Sequence, residues 1–196
     1  MKRQFAWKKT SLAMGLALGL LSGQALAADP VLSLSATPDP AQLGSVLDVD
    51  VLISGVADLY GYQFSLNFDP TIFQAASVSQ GSFLSSGGST FGDVGIVDNG
   101  SGSVSFVFNT LVGAVPGVNG NGQLARLSFN VIARGNSTLQ FSDVLLADSN
   151  ANAINVNVQS LNVQVVPEPA SALLLGLGLA GLVATAKRRR NADAQA

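Results

Sequence analysis

The sequence predicts an all-β fold in which two sheets pack face to face, and three observations predict it. Apolar and polar residues alternate with a period of two through most of the chain between residues 31 and 166. Clusters of Gly, Asn, Asp, Ser and Pro interrupt that alternation at short intervals. No amphipathic helical pattern stands out in the same stretch. Short strands with one apolar side, separated by tight turns, bury those sides against each other as a sandwich.

Each strand follows from its own alternation. In the stretch SVLDVDVLISG, Leu47, Val49, Val51 and Ile53 take one face and Asp48 and Asp50 the other. In DLYGYQFSLNFDP the inner face collects Tyr60, Tyr62, Phe64, Leu66 and Phe68, opposed by Gly61, Gln63, Ser65, Asn67 and Asp69. Further on, Val104, Phe106 and Phe108 oppose Ser103, Ser105 and Asn109. Leu127, Phe129 and Val131 oppose Arg126, Ser128 and Asn130, and Leu139 with Phe141 makes a shorter strand. Ile154, Val156 and Val158 are apolar at even positions, whereas Leu161, Val163 and Val165 are apolar at odd ones. That change of parity requires a turn or bulge near Gln159-Ser160. Turns are expected at Pro38-Asp39-Pro40, Ser85–Gly88, Asp98–Gly102 and Asn119–Gly122, where Gly supplies positive φ and Asn or Asp bonds the local backbone.

The two ends of the 196-residue chain read differently. Lys2, Arg3, Lys8 and Lys9 precede the apolar Ser11–Leu21, and Ala25-Leu26-Ala27 offers the small residues that a signal peptidase reads. Residues 1–27 are therefore expected to be a signal peptide, cut between Ala27 and Ala28, with an uncleaved anchor as the alternative. At the other end Pro167, Glu168 and Pro169 stop strand pairing, because proline donates no backbone hydrogen bond. Residues 170–186 then carry no charge. As a helix they would be about 26 Å long, short for a bilayer span, and Gly176, Gly178 and Gly181 weaken it further. Lys187, Arg188, Arg189 and Arg190 would hold residues 191–196 on the cytoplasmic side. This leaves 28–166 as one exported domain.

Charge is distributed unevenly. Residues 28–166 hold ten Asp and no Glu against Arg126 and Arg134, a net charge of −8. An acidic domain argues against a nucleic-acid partner, since phosphates need a basic face. The chain has neither Cys nor His. Ser-His-Asp and Cys-His nucleophilic sites are thereby impossible, as are zinc sites built from Cys and His, and the exported domain must hold without a disulfide. Asp48 and Asp50 share one strand face, too close together to flank a glycosidic bond, so no catalytic residue is expected. Asp148-Ser149-Asn150-Ala151-Asn152 begins like an EF-hand loop, but Ala153 stands where Gly is required and Gln159 where the bidentate Glu belongs. Asp148 remains a weak calcium candidate, a β-turn being its other use. No other cofactor is implied.

Two resemblances rest on these residues. Pro167-Glu168-Pro169, the apolar 170–186 and Arg188–Arg190, in that order at the carboxyl end, resemble the PEP-CTERM sorting signal of Gram-negative bacteria. The resemblance implies recognition by a membrane-embedded exosortase, cleavage near the Pro-Glu-Pro, and delivery to the cell surface or extracellular matrix, in settings of exopolysaccharide and biofilm; a permanent single-pass anchor is the alternative. The order of strands through 31–166, above all Phe64-Ser65-Leu66-Asn67-Phe68-Asp69-Pro70, is similar to cohesin domains. That implies a jelly-roll β-sandwich of about nine strands, related to carbohydrate-binding modules, with polysaccharide or a dockerin-like protein as ligand. A structural matrix protein without a discrete ligand site is the alternative expectation.

Overall fold

The computed structural model describes residues 29–167. The expected signal peptide with Ala25, Ala27 and Ala28, the continuation of the sorting signal from Glu168 and Pro169 onward, the 170–186 span and Lys187–Arg190 lie outside the described residues.

Between these limits the chain is built from β1 (Val31–Thr37), β2 (Ala41–Gln42), β3 (Val46–Leu59), β4 (Gly61–Asn67), β5 (Phe73–Gln80), β6 (Thr90–Asp93), β7 (Ile96–Asp98), β8 (Ser103–Leu111), β9 (Val118–Val131), β10 (Gly135–Ala147), β11 (Asn157–Val158) and β12 (Leu161–Val166). Leu84–Gly87 forms a single 3₁₀ turn between β5 and β6. Three of the strands have only two or three residues, so the nine longer ones match the expected number. One sheet runs β11-β1-β3-β9-β5, and the other β2-β12-β10-β4-β8-β6 with β7 also paired to β8. Neighbours are antiparallel except β1 with β11 and β12 with β2.

The core lies between the sheets and follows the alternation closely. Leu47, Val49, Val51 and Ile53 of β3 are buried, and so are Leu127, Phe129 and Val131 of β9. From the opposite sheet come Tyr62, Phe64, Leu66, Leu139 and Phe141. Phe64 meets Phe141 edge-on at 5.5 Å, and Phe68 meets Phe129 at 5.1 Å, both geometries that aromatic quadrupoles favour. The parity change at Gln159-Ser160 is where the chain passes from β11 in one sheet to β12 in the other.

Three expectations are corrected. Phe106 and Phe108 do not point inward: Phe106 is exposed and Phe108 half-buried, while Val107 and Asn109 are buried in their place. The cause is a β-bulge, for Phe64 pairs with Val107 and Leu66 with Val104, so β8 carries one more residue than β4 over that interval. Tyr60 is only half-buried at the rim, its hydroxyl donating to the Gly113 carbonyl. Asn119–Gly122 is not a turn but the irregular start of β9. There Asn119 Oδ1 accepts from the Asp58 amide at 2.8 Å and Asn121 Oδ1 from the Gly55 amide, replacing ladder bonds that the register shifts remove.

Candidate functional site: an exposed apolar sheet face

A sandwich has two outer faces, and here they differ in chemistry. On the β3–β9 face, Arg126 grips Asp50 with two bonds, Nε to Oδ1 at 2.6 Å and Nη2 to Oδ2 at 2.9 Å. Gln123 Nε2 donates to the same Asp50 Oδ1, and Ser128 Oγ donates to Asp48. The Arg126 hydrogen bond holds the Asp50 carboxyl below the usual carboxylate range. Directly opposite strand pairs, Asp50 with Arg126 and Asp48 with Ser128, account for this order.

The outer face of β10-β4-β8-β6 carries apolar side chains instead. Phe91 is 65% exposed, Phe106 56% and Leu145 53%, and Ile96 on the adjoining β7 is 68% exposed. Phe108 lies among them, 6.0 Å from Phe91 between ring centres. The register brings Leu145 near Phe108, since Leu145, Gln63, Phe108 and Asp93 stand in one cross-strand row, and it places Phe91 opposite Thr110 and Ile96 opposite Ser105. Gly61 has no side chain, which leaves a shallow depression of about 160 Å³ bordered by Gln63, Phe108, Thr110 and Leu145.

Two bulges make this face, one on each side of β4. In β8, Phe106 has φ +59° and donates its amide to Ser65 Oγ at 3.3 Å. A bulky residue in the left-handed region is strained by roughly 1–2 kcal/mol, so the strand pairing on either side of the bulge, not the ring, holds it there. In β10 the register shifts between Ser142 and Leu145, with Asp143 at φ +51°, and this turns Leu145 outward. Ser65, between the two bulges, is buried although its parity points outward.

The carboxylates singled out or missed in the sequence serve the loops. Asp148 Oδ1 accepts from the amides of Asn150 and Asn152, and Oδ2 from Asn152 Nδ2, so it closes a tight turn. Among the described residues no group of three or more acidic side chains is placed to hold a metal ion. Asp58 was not anticipated. Its carboxylate accepts from the Gly117 amide at 2.7 Å and from Ser149 through both amide and hydroxyl, joining the end of β3 to the loops before β9 and after β10. The Ser149 hydroxyl is the main cause of its lowered pKa. An acidic residue beside a Gly-Val-Ala strand end was the available signal, and it is weak. Pro167 follows β12 directly.

The cohesin domain model matches residues 33–165, and the PEP-CTERM protein-sorting motif matches 165–190. No curated protein matches the sequence. Among solved structures, the chain is similar to a non-cellulosomal cohesin from the archaeon Archaeoglobus fulgidus, with 17% identity, 74% of this chain and 96% of that one covered, and a TM-score of 0.55. A type II cohesin–X-dockerin complex from Acetivibrio cellulolyticus gives 16% identity, 70% and 100% coverage, and a TM-score of 0.58. A cohesin module from a family 33 glycoside hydrolase of Clostridium perfringens gives 15% identity, 70% and 98% coverage, and a TM-score of 0.56. At such identities these structures speak for the fold alone. The family match across most of its length means that the chain belongs to the cohesin family and carries a PEP-CTERM sorting motif behind its domain.

Proposed function

We propose that the chain is an exported binding module whose β10-β4-β8-β6 face takes a dockerin-like protein, and that its work is binding rather than catalysis. The observation that carries this reading is Phe106, a large apolar side chain turned to solvent by a strained bulge. Monomeric domains rarely keep such patches without a use. Fully covering a Phe, Leu or Ile side chain yields roughly 1.5–3 kcal/mol, while association costs at least about 4 kcal/mol. Phe91, Ile96, Phe106 and Leu145 must therefore be covered together, which suits a partner with a broad apolar ridge. Asp93 lies in the same row as Phe108 and Asp143 beside Leu145, so basic groups flanking that ridge would speed docking. The similar Acetivibrio cellulolyticus structure is a complex with a dockerin, which supports a protein ligand.

The ends fit delivery to the cell surface. Residues 1–27 direct export, exosortase cuts near Pro167-Glu168-Pro169, and Lys187–Arg190 keep the end in the cytoplasm while 170–186 waits in the inner membrane. Val165 pairs with Gly135 at one end of β10, and Leu145 lies roughly 30 Å along the same strand at ~3.3 Å per residue. Leu145 thus lies toward the end of the domain remote from the tail, with Phe106, beside Ser65, nearer the middle of the sheet.

Parallel pull-downs with residues 28–167 and its Phe106→Asp variant test the reading. A protein retained by the first bait and lost with the second, and binding again when purified, supports it. Equal recovery on both baits rejects this face, and no saturable partner favours a structural matrix role. Intact mass of the protein recovered from cells reports both cleavages.

A further inference from the structure

A second site lies on the other side of β6, apart from the apolar face. At Gly81 the chain leaves β5 to cross between the sheets, its amide donating to the Leu124 carbonyl at 2.7 Å. A side chain could not stand there, because a Cβ would fall 2.1 Å from the Gln123 carbonyl oxygen. The crossing leaves an open pocket of about 490 Å³ lined by Gln80, Ser82, Ser85, Thr90, Gly92 and Asn109. This volume lies within the range of small-molecule sites.

Asn109 is the telling residue. It is only 3% exposed, and its Oδ1 has no hydrogen-bond partner among the described residues. A buried amide oxygen left unpaired is costly, so an acceptor in this position calls for a donor from outside. Gly92 packs against it without a side chain, since a Cβ there would lie 2.8 Å from that oxygen and 2.5 Å from the Phe108 carbonyl oxygen. Gln80 cannot turn to serve it. The one proton of the neighbouring Tyr62 hydroxyl is shared between Gln80 Oε1 and the Leu124 carbonyl, and Gln80 Nε2 donates to the carbonyls of Asp93 at 2.7 Å and Phe108 at 3.0 Å. Gln80 is thus a fixed post, and Ser82, Ser85 and Thr90 supply hydroxyls around the mouth. The side chains that line the pocket are all uncharged, which favours an uncharged, hydrogen-bonding ligand.

We propose that this pocket binds one neutral sugar unit, with a ligand hydroxyl donating to Asn109 Oδ1. Because the pocket opens to solvent, the unit can be a free monosaccharide or one residue of a longer glycan, and the hydrogen-bonding chemistry is the same. The sandwich completes its core within residues 32–165, so residues 28–167 serve as the test protein.

Amide and carboxamide NMR spectra are recorded while glucose, galactose, mannose and N-acetylglucosamine, and then short oligomers of each, are titrated to millimolar concentration. The expected result is a saturable shift of the Asn109 carboxamide together with the Ser82 and Thr90 amides, for at least one sugar. Thr90→Val and Ser82→Ala, both at the mouth, should weaken it several-fold without altering the rest of the spectrum, and Phe106→Asp should leave it unchanged. Binding of monomers assigns a free sugar, whereas binding of oligomers alone assigns a glycan chain. A pocket filled only by water gives no saturable shift with any sugar, and that outcome overturns the proposal. So does a shift that both mouth variants leave intact.

Discussion

The outer face of β3–β9 and the outer face of β10-β4-β8-β6 are made by the same device, a strand with every second residue outward, yet one is satisfied and the other is not. Asp48, Asp50, Gln123, Arg126 and Ser128 consume one another's hydrogen bonds. Phe91, Ile96, Phe106 and Leu145 have only solvent opposite them. The difference does not come from composition alone, since β8 also contains Asn109, which is buried while Phe106 is exposed. It comes from two bulges that flank β4 and rotate the following residues by one place. The lesson is that local backbone irregularity, at a cost of roughly 1–2 kcal/mol per strained residue, decides which face of a sandwich can bind.

The sharpest way to break the comparison is to remove the core that both faces share. Phe64→Ala should destabilise the domain by about 3–5 kcal/mol in chemical denaturation, and any effect on partner binding should vanish under conditions where the variant is still folded. An unchanged transition would mean that the inner face of β4 is wrongly assigned.

Next in size are changes to the bulge itself. Phe106→Asp should weaken a protein partner at least tenfold, about 1.4 kcal/mol, while thermal stability moves by less than about 0.5 kcal/mol. Phe106→Gly should separate strain from contact. It removes the ring, and it relieves the φ +59° conformation, so it should gain roughly 1 kcal/mol of stability while losing the partner. Loss of stability in this variant would show that the ring is packed, not presented.

A smaller effect comes from acid. Hydrogen bonds lower the pKa of Asp58, Asp98 and Asp148, chiefly through Ser149, Ser101 and Asn152. A carboxylate with a depressed folded pKa contributes stability that is complete above its unfolded value, near 3.8, and is lost as pH falls through the folded one. Melting temperature should therefore hold from neutral pH down to about 4 and decline below it. Asp58→Asn should melt lower at neutral pH and lose less on acidification. Smallest of all, Arg126→Ala should reduce melting temperature slightly and in a salt-sensitive way, with no change in partner binding, because its pair with Asp50 is solvent-exposed and lies on the satisfied face.

Much of the fold is legible in the sequence. The strands around Leu47–Ile53, Tyr62–Phe68 and Leu127–Val131 follow from strict alternation, because a pleated chain has no other way to send every apolar residue to one side. The sheet change at Gln159-Ser160 was legible for the same reason, as a shift of parity. The candidate site was not. Phe106-Val107-Phe108 is an unbroken apolar triplet, so it fits either parity, and only pairing with β4 chooses between them. Asn119–Gly122 carries every mark of a turn, yet its Asn side chains bridge to β3 instead. Asp58 gave only a weak signal and Asn109 none, since the partners of the first lie far away along the chain and the Oδ1 of the second has none among the described residues.

By itself, the sequence determined the all-β class, the identity of most core residues, the family, and the sorting motif, because each is written in short-range periodicity or in contiguous residues. The tertiary structure alone decided which outer face is apolar and where an amide oxygen is left unpaired. Both depend on register between strands distant in sequence, and a one-residue offset there reverses every side chain that follows.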